Sequence, residues 1–95
     1  MLIQHRHTED RGLFFVEQDG QILAEMVYSS PSPNRMIIEH TEVSEELKGQ
    51  KVGYELVSTA VDYARKHGIR ITPLCPFAHA VFKRRTDYHD VLHFQ

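Results

Sequence analysis

The stretch that decides the fold is "RMIIEHTEVSEELKGQKVGYELVSTAVDYARKHGIRITP", residues 35–73. Both of its ends are rich in apolar and β-branched side chains, which predicts a strand at each end. Between them, apolar residues recur every three or four positions from Val52 to Ala64, which is the pattern of a helix with one buried face. A strand, a helix and a second strand in this order predict a right-handed crossover in which the two strands are parallel.

The first of these two strands contains Met36, Ile37 and Ile38 in a row, which predicts a central strand buried on both faces. The helix is expected to end at "KHG", residues 66–68. Basic side chains suit the negative pole of a helix, and Gly68 suits the left-handed position after its last turn.

The sequence before residue 35 predicts antiparallel strands, because "LFFVEQ" (13–18) and "QILAEMVYS" (21–29) flank the turn signal Asp19-Gly20. The segment "SPSPN" (30–34) predicts a loop. Beyond residue 73, "PFAHAVFKRR" predicts a short final helix, and "DYHDVL" predicts a helical turn or docked tail anchored by Tyr88. The predicted fold class is α+β, with a mixed sheet, one long helix and a short C-terminal helix.

Composition limits the classes of function. The 95 residues predict a single domain spanning 1–95, and a net charge of −2 argues against nucleic acid as a partner. The longest apolar run, "LFFV" at 13–16, is too short for a membrane span, so we expect a soluble cytoplasmic protein without a membrane partner. A single cysteine excludes an internal disulfide and a Cys-pair metal site, and we expect no metal.

The turn before the long helix, "EVSEELKGQKVGYELV" at 42–57, predicts an anion site. Gly49 and Gly53 allow close approach to the backbone, and the first amides of a helix are unpaired and lie at its positive pole. Lys48 and Lys51 add positive charge there, so a phosphate would fit. The alternative is that Gly49 only permits a tight turn and that Gly53 only lets the helix pack on the sheet.

Three segments, "EHTEVSEELKGQKVGYELV", "AVDYARKHGIRITPLCPF" and "DYHDVL", occur in the order and at the intervals found in a known family. In them the chain resembles the GCN5-related N-acetyltransferases, most closely the minimal YjdJ-like branch of small acetyltransferases. The family carries a pyrophosphate loop of pattern Arg/Gln-x-x-Gly-x-Gly/Ala. Here Lys48 stands at its first position, Lys51 at the first glycine and Gly53 at the last.

The resemblance implies a GNAT-like fold and acetyl-coenzyme A (acetyl-CoA) as co-substrate, with transfer of acetyl to an amine of unknown identity, either a small molecule or a protein lysine. It also implies that the pantetheine arm pairs with the backbone of residues 41–43 and that the pyrophosphate binds the amides of residues 48–53. Longer family members have extra helices and strands around the acceptor, so here the acceptor site is expected to be open or completed by a partner. The predicted cofactor-binding residues are Thr41, Glu42, Val43, Lys48, Gly49, Gln50, Lys51, Val52, Gly53 and Phe77.

Cys75 is the first predicted catalytic residue. Pro76 suits the first position of a helix, which predicts Cys75 at the N-cap, where unpaired amides stabilise a thiolate. The close branch implies that this cysteine accepts the acetyl group or acts as an acid toward the leaving thiolate. The alternative is an inert, buried cysteine, which is the commoner fate of a lone thiol.

His40 is the second predicted catalytic residue, as a general base at the end of the fourth strand. In a regular strand His40 and Glu42 share one face and Glu39 lies on the other. Alternatively, His40 caps the strand or pairs with a carboxylate. The pairs His5/His7 and His89/His93 have spacings compatible with metal ligation, but we interpret them as surface histidines. We interpret "KRR" at 83–85 as a solvated helix end.

Two competing functions stay open. One is a CoA-binding sensor or interaction module on the same fold, without turnover, favoured by the missing acceptor wall and by Lys51 in the loop. The other is an unrelated α+β interaction domain that binds no nucleotide.

Overall fold

The computed structural model describes residues 1–93. The strands are β1 (Gln4–His7), β2 (Arg11–Gln18), β3 (Gln21–Ser29), β4 (Arg35–Val43) and β5 (Arg70–Pro73). The helices are α1 (Val52–His67) and α2 (Pro76–Arg84), with 3₁₀ helices at Glu45–Leu47 and Thr86–Val91. Within residues 1–93, no helix is both long and apolar enough to cross a lipid bilayer.

The five strands form one sheet in the order β1-β2-β3-β4-β5. The first four are antiparallel, and β5 joins β4 in parallel after the α1 crossover, which confirms the predicted mixed sheet. The β2–β3 turn lies at Asp19 and Gly20, whose φ angles of 50° and 79° are the positive values that a two-residue hairpin turn requires.

Both helices cover the same face of the sheet. Phe14, Met26 and Ile38 on that face belong to one buried cluster with Leu56 of α1 and Val81 of α2. The predicted apolar stripe of α1 is confirmed, since its buried residues are Val52, Gly53, Leu56, Val57, Ala60, Val61 and Ala64.

The second 3₁₀ helix closes the end of this core. Tyr88 and Val91 are buried in the cluster, so the predicted docking role of Tyr88 is confirmed. On the outside, Arg65 of α1 donates two hydrogen bonds of 2.9 Å to the Asp90 carboxylate, which raises the pKa of Arg65 and lowers that of Asp90. The segment "DYHDVL" is therefore bound to α1 by packing and by charge.

The other face of the sheet is not covered by these helices, and β4 differs from the prediction there. Met36 and Ile38 are buried, but Ile37 is half-buried and, like Leu13 and Val27 on the same face, lies outside the core cluster. The prediction of a strand buried on both faces was wrong, because within residues 1–93 the buried side chains of both helices join the cluster on one face only.

A β-bulge in β4 changes which side chains share a face. Val27 of β3 pairs with His40 and Tyr28 pairs with Ile38, so Glu39 is the extra residue. Its carboxylate accepts a hydrogen bond from the Ser29 hydroxyl at 3.3 Å, on the uncovered face. Glu39 was predicted to lie opposite His40, and the bulge brings it to the same face instead.

His5 is not a surface histidine. Its ring stacks on Phe14 at a centroid distance of 4.1 Å and an angle of 9°, and Nε2 lies 2.6 Å from the Tyr28 hydroxyl. Desolvation by burial, followed by the charges of His7 and His67, lowers the pKa of His5 to about 4. The prediction failed because spacing alone did not show that β1 packs these rings against α1.

The predicted surface position of the second histidine pair is also wrong, since His89 and His93 are half-buried. His89 Nε2 donates a hydrogen bond to the Phe82 carbonyl oxygen at 2.9 Å. Residues 83–85, in contrast, are exposed, as predicted for a solvated helix end.

Candidate functional site

Strands β4 and β5 separate halfway along β4. Their pairing runs only to Ile38 opposite Pro73, and the amides of Leu74 and Cys75 then both donate to the Ile38 carbonyl oxygen, at 3.0 and 2.9 Å. Beyond this point β4 continues to Val43 with β3 on its other side. The β5-facing edge of residues 39–43 is therefore open to an extended ligand that can hydrogen-bond to a strand.

A cleft of about 480 Å³ lies between this open edge, the loop that follows β4, and the start of α1. Its walls are largely apolar, and the loop closes one end. The lining residues are Thr41, Val43, Leu47, Lys48, Gly49, Lys51, Val52, Gly53, Tyr54 and Phe77.

The N-terminus of α1 forms the polar end of the cleft. The Lys51 side chain at the N-cap makes no capping hydrogen bond to this helix, and the first helical hydrogen bond runs from the Glu55 amide to the Lys51 carbonyl oxygen at 3.1 Å. Within residues 1–93 the amides of Val52, Gly53 and Tyr54 have no hydrogen-bond partner. These donors and the positive pole of a 16-residue helix together suit an anion.

The loop before α1 is bent by left-handed residues. Gly49 has a φ of 86°, and Lys51 has a φ of 58° although it carries a side chain. Lys51 is exposed, and Lys48 Nζ lies 2.8 Å from the Glu45 carboxylate. Lysine thus occupies a backbone conformation that glycine adopts without strain.

Gly53 allows Phe77 of α2 to pack on the first turn of α1. A Cβ at Gly53 would lie 2.6 Å from the tip of the Phe77 ring. Phe77 also packs edge-on against Tyr54, with ring centroids 5.5 Å apart, and the two rings form one wall of the cleft. Gly53 thus serves close packing, but against Phe77 of α2 and not against the sheet as the packing alternative proposed, and this packing shapes the cleft.

Cys75 is the N-cap of α2, and Pro76 is the first helical residue, as predicted. The Cys75 sulfur accepts a hydrogen bond from the Ala78 amide at 3.4 Å and lies 3.3 Å from the Thr41 hydroxyl. The residue is only 4% exposed. Its thiol therefore lies behind Thr41 and does not line the cleft.

His40 lies on the uncovered face of the sheet, on the opposite side of β4 from Thr41. It is exposed and close to Glu25 and Glu42, with one side-chain N or O atom of each residue within 4.8 Å of the others. The two predicted catalytic residues, Cys75 and His40, are thus placed on opposite faces of the strand that carries the open edge.

The cleft brings together most of the predicted cofactor-binding residues. Two do not line it: the Glu42 side chain belongs to the other face, and Gln50 Nε2 donates to the Glu46 carbonyl oxygen at 3.5 Å. Leu47 and Tyr54 line the cleft and were missed, although an apolar residue within a polar loop and an aromatic residue in the first turn of a helix are usable signals. The residues found in both sets are Thr41, Val43, Lys48, Gly49, Lys51, Val52, Gly53 and Phe77.

Solved structures have a similar fold. A GCN5-like putative N-acetyltransferase from Staphylococcus aureus is 31% identical, with a TM-score of 0.73, and the alignment covers 97% of this chain and 89% of that one. The ribosomal-protein-S18-alanine N-acetyltransferase from Escherichia coli is 15% identical, with a TM-score of 0.64 and coverages of 84% and 54%. AAC(6′)-Iy in complex with the bisubstrate analogue CoA-S-monomethyl-acetylneamine is 14% identical, with a TM-score of 0.55 and coverages of 81% and 61%. The last two show likeness of fold alone.

A search of the curated proteins finds no match to the chain. The family model described as "GCN5-related N-acetyl-transferase" matches residues 13–91, which include the strands β2 to β5, the cleft and both helices. The sequence match, the likeness to the staphylococcal protein and the separation of β4 from β5 agree, and the chain belongs to the GCN5-related N-acetyltransferase family.

Proposed function

We propose that the chain binds acetyl-CoA in the cleft and transfers its acetyl group to an amine. The observation that carries the proposal is that one cleft joins the unpaired amides at the start of α1 to the open edge of β4. A pyrophosphate suits the amides, and the amide-containing pantetheine arm suits the strand edge. Membership of the family and the CoA analogue bound to AAC(6′)-Iy support the same ligand.

The position of the open edge supports one placement of the thioester. A pantetheine arm that follows β4 from the loop toward Ile38 brings its sulfur to the point where the strands separate, next to Thr41. Attack by a neutral amine forms a C–N bond and breaks the C–S bond. The amine loses a proton, and the CoA thiolate gains one.

Three side chains are assigned to these proton transfers. His40, exposed on the uncovered face, accepts the proton of an amine that approaches through the gap between β4 and β5. The Thr41 hydroxyl and the Cys75 thiol, 3.3 Å apart, form the donor pair on the leaving-thiolate side. Because the Cys75 residue is only 4% exposed, its burial favours direct transfer of the acetyl group from CoA to the amine over transfer through a covalent acetyl-cysteine.

Ligand-dependent thermal unfolding tests the binding step. CoA at 100 times its dissociation constant should stabilise the protein by about 2.7 kcal/mol. Lys51→Glu, which reverses a charge at the mouth of the cleft, should weaken binding about tenfold or more, whereas the same change at Lys66, in the last turn of α1, should leave it unchanged. An unchanged melting temperature at millimolar CoA would exclude this ligand.

A non-catalytic CoA-binding module is the second candidate function, favoured by the burial of Cys75 and the placement of His40 on the other face. Labelled acetyl-CoA with a panel of amines separates the two functions. Transfer of label, decreased in His40→Gln, supports the enzyme. Tight CoA binding with no loss of label to any amine would establish the module.

A further inference from the structure

Most of the charged side chains on the uncovered face of the sheet are separated by sign. The strand register places three arginines near the start of β4 and three glutamates near its end. We call these the arginine end, formed by Arg11, Arg35 and Arg70, and the glutamate end, formed by Glu17, Glu25 and Glu42. One carboxylate lies at the arginine end: Glu39 pairs with Arg11 at 3.7 Å, which leaves the arginine end with a net charge of +2.

Three apolar residues on neighbouring strands, Leu13, Val27 and Ile37, form what we call the apolar strip. Leu13 and Val27 lie opposite each other between the two ends, and Ile37 is level with Arg11. All three are half-buried and lie outside the core cluster. On the same face Phe15 is only 1% exposed, and the Arg6 guanidinium lies 4.8 Å from its ring centroid. Apolar residues rimmed by charges on one sheet face are typical of a surface that meets a partner.

We propose that a second copy of the chain covers this face. The two faces are related by a two-fold axis that lies between them and runs perpendicular to the strands. This axis places each arginine end over the glutamate end of the other copy, and the two apolar strips meet between these ends. An axis parallel to the strands would set like charges against each other. The charge pattern therefore selects one of the two face-to-face arrangements.

The sheet face is large enough for a small dimer interface. The five strands contain 34 residues, which at ~3.3 Å rise and ~4.8 Å spacing cover roughly 540 Å², compared with ~800 Å² per partner in a standard interface. The cleft opens on the side of the sheet that carries α1 and stays accessible. His40 lies beside the glutamate end, so the arginine end of the other copy would form a wall of the path to His40.

Charge-reversal variants test the arrangement. The wild type should elute with twice the 11.1 kDa mass of the chain in light scattering. Glu25→Arg/Glu42→Arg makes both ends of the face positive, and Arg11→Glu/Arg70→Glu makes both largely negative. Each double variant alone should be monomeric, with the dissociation constant increased about a hundredfold or more.

An equimolar mixture of the two double variants should recover the dimer, because each reversed end then meets an oppositely charged end. Recovery also shows that both variants fold. Glu46→Arg/Glu55→Arg, the same charge change away from this face, should remain dimeric. A wild type that stays monomeric at its highest soluble concentration, or a mixture that stays monomeric, would overturn the proposal.

Discussion

The Thr41 hydroxyl lies 3.3 Å from the Cys75 sulfur, across the point where β4 and β5 separate. Thr41 lines the cleft, whereas Cys75 is buried behind it and caps α2. The thiol therefore has a structural task as N-cap whether or not it takes part in chemistry. The effect of a Cys75 substitution on stability must therefore be measured separately from its effect on acetyl transfer.

Cys75→Ser and Cys75→Ala should separate these roles. Serine keeps an acceptor for the Ala78 amide, whereas alanine leaves that amide unpaired in a buried place, at a cost of about 1 kcal/mol. Urea unfolding should show Cys75→Ala as the less stable variant. Acetyl transfer that persists in Cys75→Ser would show that no acetyl-cysteine is needed, and a covalent acetyl adduct on the wild type by intact mass would contradict direct transfer.

Gly53→Ala should move Phe77, because the new Cβ would lie 2.6 Å from the ring. The overpacking should lower the free energy of unfolding by about 1–3 kcal/mol, whereas replacing a helical glycine by alanine should raise it by up to about 1 kcal/mol. In a Phe77→Ala background the clash is gone, and the same substitution should stabilise by up to about 1 kcal/mol. A double-mutant cycle of thermal unfolding measures this change of sign, and additive effects would show that the two positions do not interact.

Much of the fold could be predicted because its signals are local. The Asp19-Gly20 turn, the apolar stripe of α1 and the Gly68 end of that helix each follow from residues a few positions apart. The N-cap position of Cys75 followed from Pro76 alone. In the same way, the glycines and lysines of residues 48–53 indicated the cleft, since they act through the backbone of one short segment.

Three of the failures involve contacts between distant segments. The bulge that turns Glu39 onto the face of His40 depends on how β4 pairs with β3. The burial of His5 depends on β1 packing beside α1, and the half-exposure of Ile37 depends on which face the helices choose. Local pattern contains no information on any of these, because each is decided by the partner and not by the segment itself.

Acidification should destabilise the protein through His5. Its pKa in the folded chain is about 4, below the 6.5 of an exposed histidine, so the neutral ring is favoured by folding. The stabilisation is fully present above pH 6.5 and is lost as pH falls from 6.5 toward 4. Because solvent screens a half-buried ring, we expect the free energy of unfolding measured in urea to decrease by only roughly 1 kcal/mol.

His5→Gln is the control for this pH dependence. Glutamine keeps a hydrogen-bonding partner for the Tyr28 hydroxyl but does not titrate. Its stability should therefore change less than that of the wild type between pH 7 and pH 5. An equal decrease in both proteins would assign the effect to other groups.

Lys51→Gly should stabilise the fold while weakening the anion site. A side chain in the left-handed conformation at φ 58° costs about 1–2 kcal/mol, and the greater freedom of glycine in the unfolded chain offsets about 0.5–1 kcal/mol of the gain. Lys51→Ala removes the same charge and keeps the strain. The Lys51→Gly variant should therefore be more stable than the Lys51→Ala variant by up to about 1.5 kcal/mol in thermal unfolding, while CoA binding weakens alike in both. Equal stabilities of the glycine and alanine variants would show that the loop relaxes around Lys51. Unchanged CoA binding in both variants would show that the amides of α1 bind the anion without the charge of Lys51.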